Sequence, residues 1–202
     1  MQSVDDAAVV AVSEPIRPEG AELRSTEPRP IVRLGFAAAA IVAGAGVAAR
    51  IGADVDLVAA LAFVAVATAI AIVDMEQFRV PNRLVLPAVV TALVWQAVFH
   101  LGDLLTCVIA GAGAALFFLL AFVVSRGAVG MGDVKFALLL GLVLGEDVVT
   151  GVFVATLAGA VAGGIVLWRE GRAGRKTPIP YAPFLAAGAI VALLVGTASP
   201  LV

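Results

Sequence analysis

The 202-residue chain is 62% hydrophobic and only 14% charged, against about 25% charged residues in a soluble domain, and its mean hydropathy is +1.09. Such a composition excludes an ordinary water-soluble fold, and a net charge of −2 offers no electrostatic case for a nucleic-acid partner. With one cysteine, Cys107, and one histidine, His100, there is no intrachain disulfide and no cysteine- or histidine-based metal site, so no metal or cofactor is expected.

Residues 1–33 interleave Glu14, Glu19, Glu22 and Glu27 with Arg17, Arg24, Arg29 and Arg33, and contain four prolines. No helical apolar periodicity runs through them, so they read as a disordered cytoplasmic tail. They also lack the basic start and long apolar core of a secretory signal. Residues 34–202 read as one transmembrane domain. Seven apolar segments follow in order, at 34–49, 57–73, 84–99, 104–124, 134–145, 148–168 and 182–199. A helix needs roughly 20 residues to cross the hydrocarbon, so the pattern predicts an all-α polytopic membrane protein of about seven spans.

The fifth segment, VKFALLLGLVLG, is too short to cross alone. Loop charge argues for counting it. With seven spans and a cytoplasmic tail, Arg79, Arg83, Arg126, Lys135, Arg169, Arg172, Arg175 and Lys176 all fall on the cytoplasmic side, as the positive-inside rule requires. Dropping it would send the REGRAGRK cluster to the wrong face. A short span is possible if it begins below the membrane surface, where irregular backbone is tolerated when buried in protein or lining water. The stretch GMGD before Val134 is the expected entry.

Two acids abut apolar runs on that side: Asp74, ending the second segment in AIVDMEQFRVPNRL, and Asp133 of GMGDVKF. Two crossings separate them, so both face one cytoplasmic cavity, whereas Asp103, Glu146 and Asp147 belong to the other face. Paired carboxylates in a partly desolvated site share a proton, so one can take a proton from water while its partner donates one to a carbonyl oxygen. Gly130 and Gly132 permit unusual backbone conformations and close approach of a substrate. Spacing alone favours a plainer reading, with Asp133 as an N-cap before Val134 and Asp74 marking the water boundary. On the same basis Lys135 is an interfacial lysine, Glu76 is solvated, Pro81 and Asn82 turn the chain into the third helix, and Trp95, Trp168 and His100 are interfacial.

These residues carry a resemblance. DMEQFRVPN (74–82), GMGDVK (130–135) and PYAPF (180–184) together resemble the type IV prepilin peptidases, membrane aspartyl proteases of the GxGD class. The likeness covers roughly residues 34–199, in the family's order, separation and sidedness. Valine stands before Pro81 where the family has isoleucine, and Ala182 stands where its late element has glycine. The resemblance implies that Asp74 and Asp133 are the catalytic pair, with Gly130, Gly132, Lys135, Pro81 and Asn82 shaping the loops or binding substrate. It implies an endopeptidase in the bacterial plasma membrane, cutting the short basic leader from prepilins or pilin-like proteins at the cytoplasmic face. Larger members have an N-terminal domain with paired cysteines and methylate the new N-terminus. No such motif occurs here, so methylation is not expected, and the short form is similar to the minimal peptidases of tight-adherence pilus systems.

Two other readings use the same residues. In a proton-coupled transporter the aspartates would relay protons, although such folds often have interrupted helices in both halves and only one interruption is visible here. A non-catalytic assembly factor would need neither acid. Small residues in AAAAIVAGAGVAA and GAVAGG suit close helix packing under every reading.

Overall fold

The computed structural model describes residues 30–124, 129–171 and 179–196. The expected tail up to residue 29, Arg126 and most of the REGRAGRK cluster lie outside the described residues. The described chain forms seven α-helices: α1 (Pro30–Ile51), α2 (Val55–Gln77), α3 (Asn82–Phe99), α4 (Leu104–Val124), α5 (Met131–Leu144), α6 (Val148–Glu170) and α7 (Ala182–Val195). A 3-10 turn, Gly145–Asp147, joins α5 to α6. Every apolar segment of the sequence thus becomes one helix. Helix α1 starts at Pro30, ahead of the expected segment, and takes Arg33 out of the tail and onto its first turns.

Helices α1 to α4 are each long and apolar enough to cross a membrane, and so is the stretch from Met131 to Glu170 that contains α5 and α6. The molecule is a multi-pass membrane protein. At about 1.5 Å per residue, the 14 residues of α5 reach only about 21 Å of a core roughly 30 Å thick. Its surroundings explain how it can be short. Ten of its residues are buried, from Asp133 to Leu144, and it packs against α3, α4, α6 and α7. A helix that is apolar on every side belongs in the middle of a bundle, and α5 is enclosed by α3, α4, α6 and α7.

Close helix approach fixes that packing. A Cβ placed on Gly141 of α5 would run into the backbone of Ala110 and Gly111 of α4. One on Gly188 of α7 would strike the carbonyl of Gly151 on α6. In lipid, helices associate by van der Waals packing, and glycines allow the backbones to meet. Gly141→Val is therefore expected to cost about 1–3 kcal/mol or more through overpacking, measurable as a lower thermal midpoint of the detergent-solubilised protein. The exposed Gly113, with nothing near its absent Cβ, should accept valine with little change.

Polar ties close the bundle at the end away from Asp74. Trp95 Nε1 donates to Asp56 Oδ1 at 3.2 Å, and His100 Nε2 lies 2.8 Å from the same oxygen. Trp95 and His100 thereby tie the end of α3 to the start of α2. Trp168, by contrast, is 85% exposed and suits an interfacial anchor. Arg50 donates to the carbonyls of Leu194 (2.7 Å) and Gly196 and so caps the C-terminus of α7.

Candidate active site

Asp74 lies in the last turn of α2, and its main-chain carbonyl accepts the amide of Phe78, which closes the helix in the left-handed region at φ 51°. The left-handed residue reverses the chain at once, and the extended Val80–Pro81 segment leads into α3 with Pro81 as its N-cap. Asp74 is only 5% exposed. Its carboxylate does not mark a boundary with water, as the plainer sequence reading had it. Oδ2 accepts the amide of Ala182 at 3.0 Å. That amide belongs to the first residue of α7, where free N–H groups and the helix dipole favour an acceptor.

Asp133 is 6% exposed and comes from the first turn of α5. The expectation of a helix starting at Val134 needs correction: α5 begins at Met131 with Gly130 as N-cap, so most of GMGD is helical. Asp133 is the third residue of the helix rather than its cap. It reaches back so that Oδ2 accepts the Gly130 amide at 3.0 Å, the reciprocal half of a capping box.

The glycines have a different reason from the one the sequence suggested. Gly130 sits at φ −78°, ψ 145°, open to any residue, and Gly132 has no positive φ. What matters is contact. A Cβ on Gly132 would lie 2.6 Å from the Cβ of Val80, so the segment after α2 rests directly on the first turn of α5. Lys135 Nζ donates to Asn82 Oδ1 at 2.9 Å, a second clasp between the same segments. Lys135 is therefore tied to α3 rather than reaching freely for phosphates. Glu76, expected to be solvated, instead pairs with Arg33 of α1 at 2.7 Å through two parallel bonds.

Three stretches far apart in sequence, 74–82, 130–135 and 180–184, thus assemble at one end of the bundle. Two buried carboxylates therefore stand at this end, each accepting a backbone amide on one oxygen, an arrangement suited to paired acid–base chemistry. Sequence reasoning quoted PYAPF but found no task for its individual residues. The contribution of Ala182 is its amide, which any residue but proline would supply, so its place as a substituted glycine costs nothing there. Gly159, a notch in α6 occupied by the Tyr181 ring, had no signal in the sequence beyond being one small residue among many.

The model of the type IV leader peptidase family matches residues 61–167, more than half of the chain, including both aspartates. The chain belongs to the type IV leader peptidase family. Among its relatives is a prepilin leader peptidase/N-methyltransferase of Bacillus subtilis, 29% identical over 159 residues, 78% of this chain and 63% of that protein. A protein of the same description from Burkholderia pseudomallei is 33% identical over 174 residues, 83% of this chain and 55% of its own length. The chain therefore spans about half to two thirds of the length of these relatives. No solved structure matches it. Within the family match fall the first two motifs. The third, with Tyr181 and Ala182, lies beyond it and is joined to them by the Asp74 hydrogen bond.

Proposed function

We propose that this protein is a membrane aspartyl endopeptidase that removes the short basic leader from pilin-like proteins at the cytoplasmic membrane face, with Asp74 and Asp133 as the catalytic pair. What supports the reading is that two buried acids, one from the end of α2 and one from the start of α5, lie at the same end of the bundle in a chain of the leader peptidase family. The ionised member of the pair takes a proton from water as its oxygen attacks the scissile carbonyl carbon. Its partner gives a proton to the carbonyl oxygen, and collapse of the tetrahedral species breaks the C–N bond as the amine leaves protonated. Neither step draws on a metal or a covalent enzyme intermediate.

The surroundings support a basic substrate. The two carboxylates offer negative charge that a cationic leader complements, and the nearby Arg33 is already paired with Glu76. Lys and Arg in the loops on the Asp74 side argue for a cytoplasmic orientation. A proton-relay transporter would use the same two acids, but it draws no support from the family match.

The test is cleavage of a co-expressed pilin-like protein in membranes, read as a mobility shift with sequencing of the new N-terminus. Cleavage between leader and apolar segment is the expected result. Solute uptake that depends on both aspartates, without any processing, would overturn the proposal.

A further inference from the structure

We propose that Tyr181 is a positioning residue for Asp74, and that Gly159 is the notch that makes this possible. The Tyr181 ring, seated against α6, fixes the N-terminus of α7 so that the Ala182 amide holds the Asp74 carboxylate. This role within the peptidase rests on the function proposed above.

The ring is gripped on several sides. Its Cε2 lies 2.7 Å from where a Cβ on Gly159 would be, so alanine at 159 cannot coexist with the ring in place. Phe118 of α4 packs against it with ring centroids 5.6 Å apart, and Phe184 of α7 does so at 6.0 Å. The hydroxyl makes a long contact of 3.4 Å with Thr156 Oγ1, also on α6. The amide of the next residue, Ala182, holds Asp74. Ring and backbone therefore link α6 and α4 on one side to α2 on the other. Ala182 is fully buried, and its amide has no freedom to follow Asp74 if the ring shifts.

The ring, not the hydroxyl, carries the role, because a 3.4 Å contact is near the limit of a useful hydrogen bond. Misplacing a reacting group by about 1 Å can cost about a hundredfold in rate. Tyr181→Ala and Gly159→Ala are each expected to lower kcat for leader cleavage by about that factor with KM little changed, while Tyr181→Phe rescues nearly full activity. Because both single changes break one contact, the Gly159→Ala/Tyr181→Ala double variant should be about as impaired as the worse single one, not the product of the two.

Hydrogen–deuterium exchange at residue 182 gives a readout independent of cleavage. Its amide should exchange slowly in the wild type and faster in Tyr181→Ala, as in Asp74→Ala, with α5 and the α2 core unchanged. Unaltered protection in Tyr181→Ala, wild-type kcat in that variant, or losses that multiply in the double variant would each overturn the proposal. Should the wild type fail to cleave any leader while exchange responds as expected, the positioning stands and the peptidase reading falls.

Discussion

Asp74→Asn and Asp133→Asn, each alone, are expected to lower leader cleavage by on the order of a thousandfold or more, at unchanged abundance in the membrane. One proton-transfer partner contributes roughly 10²–10⁴-fold, and the two act as a unit, so neither can cover for the other. Asparagine keeps size and the acceptor oxygen for the Gly130 or Ala182 amide, so stability should be retained. The measurement is initial processing rate in membranes with the variants matched by immunoblot. Glu76→Gln, two residues from Asp74 and engaged with Arg33, serves as the comparison and should process near the wild-type rate. Cleavage persisting in either aspartate variant would remove the pair from the mechanism.

Gly132→Ala should cost about a hundredfold in cleavage through a single added methyl group. Its Cβ would come within 2.6 Å of the Val80 Cβ, a separation no packed pair of carbons sustains. Either the segment carrying Val80, Pro81 and Asn82 lifts away, loosening the Lys135 clasp, or the first turn of α5 rotates and takes Asp133 with it. A displacement of about 1 Å in a reacting group is enough for that loss. Val80→Gly removes the obstructing Cβ itself, and combined with Gly132→Ala it should restore part of the rate. If Gly132→Ala cleaves normally, the contact between the two segments has no part in holding the aspartates.

Much of this arrangement was legible in the residues. The apolar runs became helices with boundaries close to those expected, because twenty-residue stretches without charge have few other ways to satisfy their backbone in lipid. The same-side placement of Asp74 and Asp133 followed from counting crossings. Local geometry was less legible. GMGD looked like an irregular loop because of its glycines, yet residues 131–133 are helical; nothing in the motif says that Val80, fifty residues earlier, needs the space. The Glu76–Arg33 and Trp95–Asp56 ties join helices whose relative rotation no periodicity reveals, since these spans are apolar on nearly every side. Tyr181 and Gly159 were hidden for the same reason. Their meaning is a pairwise fit between two distant segments.

The near-contact of α4 and α5 at Gly111 and Gly141 has a bearing on how a peptide could enter. With its backbone wedged there and most of its length enclosed, α5 is the stator of the molecule. Helix α2 barely touches it and leans instead on α1 and α7. Since α7 is itself wedged against α6 at Gly188 and Gly151, the helix with most room to shift is α2, which carries Asp74, while Asp133 stays with α5.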